Sequence, residues 1–100
     1  MLRETDFIKR LEKIKQPVKS ITGKVSYSNL GITESTMTMT FIRDNTGENW
    51  KIDLKQLYKA YLELEVIDTV VIRKYTPRVQ SPACAFLIGM GLYDSKRNRV

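Results

Sequence analysis

From Val79 to Tyr93 the chain carries fifteen consecutive uncharged residues, Val-Gln-Ser-Pro-Ala-Cys-Ala-Phe-Leu-Ile-Gly-Met-Gly-Leu-Tyr, although 28% of its residues are charged. A stretch that is apolar on every side belongs in the middle of a core rather than on a surface. It is too short to span a bilayer comfortably and contains two glycines. Ser81-Pro82 reads as a helix start, with serine as N-cap and proline at the first helical position, where its missing N–H costs nothing. Gly91 is a natural C-terminal stop. The expectation is a buried helix from Pro82 to about Met90, and no membrane partner.

The rest of the chain has to cover that helix. Phe7, Ile8, Leu11 and Ile14 recur at helical spacing and predict a helix over Asp6–Lys15, with Thr5 as N-cap and Pro17 ending it. Lys9, Arg10 and Lys13 lie away from its apolar face. A strand is expected over Lys19–Ser28, with Gly23 as a bulge and Asn29-Leu30-Gly31 as the following turn. Met37, Met39 and Phe41 alternate with Thr36, Thr38 and Thr40, which predicts a second strand over Ser35–Arg43. Asp44-Asn45-Thr46-Gly47 reads as a hairpin turn, leading to a third strand over Glu48–Asp53 with Trp50 and Ile52 on one face.

At Asp53 the period changes. Asp53 and Gln56 have the form of a capping box, and Leu54, Leu57, Tyr58, Tyr61 and Leu62 predict a helix over Leu54–Glu65. Ile67–Tyr75 fits two states. The β-branched run Val70-Val71-Ile72 suits a buried strand, which would return to the sheet by a right-handed crossover. Asp68 as N-cap, with Ile67, Val70, Val71 and Tyr75 on one face, suits a short helix, the reading favoured by a tight joint at Val66-Ile67. Thr76–Gln80 is a loop, and Asp94–Val100 a flexible basic tail. The expected fold is therefore a single α+β domain over residues 1–100: an N-terminal helix, a three-stranded antiparallel meander, and two or three C-terminal helices covering one sheet face.

Composition removes several chemistries. The chain has no histidine and one cysteine, which excludes an intrachain disulfide, cysteine clusters, the common zinc and copper sites and histidine-based catalysis. No cofactor motif is found. Charges at Arg3, Glu4 and Asp6 argue against a secretory signal, so a cytoplasmic location is expected. Cys84, inside the apolar run, is expected to be a buried and inert thiol.

The net charge of +6 is unevenly spread. Residues 1–24 hold seven basic side chains against three acidic, residues 25–72 four against seven, and residues 73–100 six against one. If the two basic ends meet they form a positive face, which favours polyanions, nucleic acid first. The candidate contacts are Lys9, Arg10, Lys13, Arg73, Lys74, Arg78, Lys96, Arg97 and Arg99. One route is a helix-turn-helix, with Leu54–Glu65 followed by a reading helix carrying Thr69, Arg73 and Lys74. Another is an anion site where Arg73, Lys74 and Arg78 precede the last helix, although Ser81 is expected to satisfy the free amides there by itself.

Three further readings rank below these. Asp44, Asp53 and Lys55 have the residue types of a divalent-metal nuclease, but turn and cap roles already account for both aspartates, so no enzyme is expected. Tyr27, Phe41, Trp50, Tyr58 and Tyr61 are placed in the core, leaving Tyr75 and Tyr93 as surface stacking candidates. The alternative to nucleic acid is a protein-interaction or homodimeric module using the outer face of the second strand, Thr36, Thr38, Thr40 and Ile42.

Overall fold

A computed structural model describes all residues, 1–100. Three α-helices and a four-stranded antiparallel sheet follow one another in the order α1 Glu4–Glu12, β1 Val18–Lys19, β2 Ser26–Thr33, β3 Thr38–Arg43, β4 Glu48–Asp53, α2 Leu54–Glu63 and α3 Gln80–Gly89. A single 3-10 turn, Ile72–Lys74, lies between α2 and α3. The strand order is sequential, β1-β2-β3-β4. The α+β class and the antiparallel meander agree with expectation; the sheet has four strands where three were expected.

The extra strand arises because two backbone signals exchange roles. Gly23, expected as a bulge, sits at φ +74° in a turn that Ser20 closes, its carbonyl accepting from the Gly23 N–H at 2.9 Å. Asn29-Leu30-Gly31, expected as a turn, is instead a bulge within β2, with Asn29 at φ +53°. Ser28 faces Ile42 and Gly31 faces Thr40, so β2 spends three residues where β3 spends two. The parity shift has a purpose visible in the packing. Without it Asn29 and Gly31 would share the inner face with Tyr27; with it Leu30 and Ile32 do, and Ile32 pairs with Met39.

β3 and β4 alternate as read. Met39, Phe41 and Ile52 are buried, and Trp50 lies opposite Phe41 on the same face. Met37 falls in the β2–β3 turn at φ +50°, so β3 begins three residues later than expected. α2 starts where Asp53 accepts the Gln56 N–H at 3.1 Å, the expected cap. Phe7 of α1 packs on the rings of Tyr58 and Tyr61 at 5.2 and 5.6 Å. The Leu2 backbone is tied to both tyrosine hydroxyls, which pins the N-terminus to α2. α1 begins two residues before its expected start, and Arg3, not Thr5, is its N-cap.

α3 is the centre of the core, with Ala83, Cys84, Ala85, Phe86 and Leu87 buried in succession. Phe86 meets Phe41 and Tyr27 edge-on at 4.9 and 5.7 Å. The helix starts earlier than expected: Val79 is the N-cap, Ser81 lies inside the first turn, and no side chain caps it. Its end follows expectation. The Gly91 N–H reaches the Ile88 carbonyl at 2.9 Å and the Leu92 N–H reaches Leu87 at 3.2 Å, the paired bonds of a Schellman motif, with Gly91 at φ +78°. Gly91→Ala meets no steric obstacle, so the left-handed backbone alone should cost about 1–2 kcal/mol in a urea titration. No change would mean that the motif does not hold the helix end.

The segment after α2 departs most from expectation. Val66–Tyr75 forms neither a strand of the sheet nor an α-helix; turns lead into the 3-10 turn. Asp68 does act as a local cap, its carboxylate accepting the Val70 and Val71 N–H groups at 2.8 Å. Only Ile72 of the β-branched run is buried, and Val70 is 78% exposed. Without a second α-helix here there is no helix-turn-helix. Asp94–Val100, expected as a flexible tail, is hydrogen-bonded back onto the domain. The Ile67 N–H donates to Arg97, the Arg99 N–H to Glu65, and the Val100 N–H to Leu92, at 2.7–3.0 Å. No helix is long and apolar enough to cross a membrane.

Candidate nucleic-acid interface

The nine basic candidates separate into three settings. Lys9 and Arg10 on α1 and Lys13 just past its end stand exposed and line an open groove with Asp6, Lys15 and the Gly89-Met90 end of α3. Lys9 and Arg10 lie in the last turn of α1 and Lys13 is its C-cap, where the helix dipole favours positive charge. The Gly89 position has no side chain, and a Cβ there would come within 2.9 Å of Ile14 Cδ1, so α1's trailing end and α3's C-terminus sit close together.

The second group gathers near the opposite end of α3. Arg73 and Lys74 are exposed on the 3-10 turn, and the Lys74 ammonium lies 5.2 Å from the Tyr75 ring centroid. Arg97 lines a hollow with Ser20, Thr22, Thr69 and Ser81. Arg78, at φ +71°, lines a neighbouring cavity that shares Ser81. Lys96 is exposed. α3 has ten residues, so the two groups are separated by about 15 Å of helix. That distance equals the axial rise of roughly four or five phosphates on one nucleic-acid strand.

Arg99 forms the third setting and is a correction. Its guanidinium donates to the carbonyls of Tyr61, Leu62 and Leu64 at 3.0–3.3 Å. These are the open carbonyls at the C-terminus of α2, where a cation both completes hydrogen bonds and meets the negative end of the dipole. Arg99 is therefore a structural cap of α2. The two proposed stacking tyrosines are likewise internal. The Tyr75 hydroxyl donates to Glu63 at 2.7 Å, and the Tyr93 hydroxyl donates to the Leu64 carbonyl at 2.5 Å. Burial pushes the Tyr93 phenol up to about 12.

The carboxylates do not converge on a metal. Asp53 caps α2, while Asp44, at the far end of β3, accepts the hydroxyls of Ser26 at 2.6 Å and of Ser28. Those two hydrogen bonds hold the Asp44 carboxyl below its usual range. Since Thr38 pairs with Asp53 and Arg43 with Glu48, the two aspartates are separated by the length of β3, about 17 Å. No group of three or more potential ligand side chains forms.

Cys84 is wholly buried, and desolvation pushes its thiol up to about 11. A thiol-exchange reagent at pH 8 should leave the folded protein unlabelled and modify one thiol per chain in urea. Rapid labelling of the native protein would contradict the buried placement.

The feature that sequence reasoning missed is the cavity beside Arg78. It measures about 190 Å³ and lies between the inner face of the sheet and the start of α3, lined among others by Tyr27, Arg43, Trp50 and Gln80. Parity along β3 contained the signal, because Arg43 is in phase with the buried Met39 and Phe41. Arg43 stands close enough to Tyr27 for its charge to oppose the upward shift that burial imposes on that phenol. No family model, curated protein or solved structure matches this chain.

Proposed function

We propose that this is a cytoplasmic, non-enzymatic nucleic-acid-binding domain that engages the phosphate backbone through Lys9, Arg10 and Lys13 on one side and Arg73, Lys74, Arg78, Lys96 and Arg97 on the other. The observation carrying this reading is the placement of exposed basic side chains at both ends of the central helix, in a chain with pI near 9.6. Phosphate contacts of this kind neutralise charge and release counterions without reading sequence. The recognition helix expected over Asp68–Tyr75 has no counterpart in the fold, so the reading is backbone binding with little sequence preference.

Fluorescence anisotropy with labelled single-stranded and duplex DNA of random sequence tests this. Binding should weaken steeply as salt rises, with similar affinity across unrelated sequences. No binding at low salt, or binding insensitive to salt, would sink the reading.

A second reading is a homodimeric interaction module. Val66 is 52% exposed and Val71 41%, and with Val70 they place three β-branched side chains at the surface of one loop. The outer face of β3 is a weaker choice: Ile42 is only partly exposed, and the adjoining edge strand β4 presents Glu48, Asn49 and Lys51, charges and amides that discourage strand addition. Light scattering across a hundredfold concentration range separates the readings, since a constant monomer mass excludes the dimer.

A further inference from the structure

The residues that line the cavity between the sheet and the start of α3 carry all three of the buried side-chain polar atoms that find no hydrogen-bond partner in the protein: Arg43 Nε, Trp50 Nε1 and Gln80 Oε1. Each is shielded from solvent, and a buried polar group left without a partner loses the hydrogen bond it would make to water and destabilises the fold. Scattered over the molecule they would be three separate defects. Gathered in residues that line one cavity from both its sheet side and its helix side, they define a ligand by what they lack. Two are donors, and both want an acceptor; the third is an acceptor and wants a donor.

The rest of the lining fixes the sign of the ligand's charge. Arg43 and Arg78 are both present and no carboxylate lines the cavity. Gln80 and Ser81 belong to the first turn of a ten-residue helix that no side chain caps, which adds positive potential at the same place. A species that is anionic, offers several acceptor oxygens and retains one hydroxyl meets all of these demands. Hydrogen phosphate does so. Sulfate and chloride lack the hydroxyl that Gln80 Oε1 requires.

We infer that this cavity is a binding site for a protonated phosphate group, held by Arg43, Trp50, Gln80 and Arg78. The site is distinct from the exposed basic side chains of α1 and does not depend on the nucleic-acid reading. The phosphate would come either from a small free phosphate species or from the terminal phosphate of an oligonucleotide.

Trp50 is the only tryptophan in the chain and lines the cavity, so its fluorescence reports directly on occupancy. Sodium phosphate titrated at constant ionic strength should produce a saturable change, and sodium sulfate should need at least about a tenfold higher concentration for half the effect. Arg78→Gln, on an exposed loop residue, and Arg43→Gln should each weaken the phosphate response by about tenfold, the usual scale for one charge-assisted hydrogen bond. Arg43→Met supplies an arm that a folding defect cannot mimic. It should leave the Tm in phosphate-free buffer equal or higher, because it removes an unsatisfied donor, while abolishing the rise in Tm that phosphate gives the wild type.

Anisotropy with short oligonucleotides identifies the source. Tighter binding of a 5′-phosphorylated strand than of its 5′-hydroxyl twin, with the difference lost in Arg43→Gln, assigns the terminal phosphate. Equal binding of the two strands beside a saturable response to inorganic phosphate assigns a small free species. Phosphate binding without any DNA binding would keep this site and refute the proposed function. Fluorescence changes that fail to saturate, or that sulfate reproduces at the same concentration, would overturn the site.

Discussion

Replacing Phe86 with alanine is expected to remove about 3–5 kcal/mol of stability, a large part of the roughly 5–15 kcal/mol available to a domain of this size. The reason lies in its position. Phe86 is wholly buried on α3 and touches both Phe41 on β3 and Tyr27 on β2, so one ring joins the central helix to two strands. Truncation would lose the transfer free energy of the ring, two edge-to-face contacts and the packing of the cavity left behind. Urea denaturation followed by circular dichroism measures it. A loss below about 1 kcal/mol would mean that α3 is not the centre of the core.

The largest functional effect is expected from removing three charges on α1. Lys9→Gln, Arg10→Gln and Lys13→Gln combined should lower affinity for random duplex DNA on the order of a hundredfold at 50 mM salt and make the salt dependence shallower by about 2 to 3 in logarithmic slope. Glutamine keeps helix propensity close to that of lysine and arginine, so α1 should persist. Arg99→Ala is the contrasting variant. Its guanidinium is committed to the carbonyls of Tyr61, Leu62 and Leu64, so its loss should reduce stability while leaving the salt slope unchanged. A slope that falls with Arg99→Ala but not with the α1 variant would reverse the assignment of these residues.

Much of the fold could be read from local chemistry. Asp53 caps α2, Met39 and Phe41 alternate inward, and Gly91 ends α3, because in each case the deciding interaction spans only a few residues. The errors occur where a distant partner decides. Asn29-Leu30-Gly31 has turn chemistry, yet pairing with β3 on both sides absorbs it as a bulge and turns Leu30 and Ile32 inward. Val70-Val71-Ile72 has strand propensity, but the run pairs with no strand of the sheet and only Ile72 finds the core. Ser81 is an obvious cap by residue type, whereas the helix begins a residue before it and leaves its first turn uncapped.

The candidate site divides in the same way. Exposed charges on α1 and near Arg73 are visible from spacing alone. The commitment of Arg99 to α2 is not, since the two are some 35 residues apart in the chain. Nor is the cavity, which four separate segments build: Tyr27 from β2, Arg43 from β3, Trp50 from β4, and Arg78 with Gln80 around the start of α3.

The central claim is that two basic groups at the ends of α3 bind one nucleic-acid strand together. A titration of the isotopically labelled protein with a ten-nucleotide single strand, followed by amide chemical shifts, tests it most directly. The account predicts that shifts concentrate in Lys9–Lys15 and in Arg73–Ser81 with Lys96 and Arg97, move with one dissociation constant, and vanish together at high salt. Shifts confined to one of the two groups, or concentrated at Val66–Val71, would contradict it.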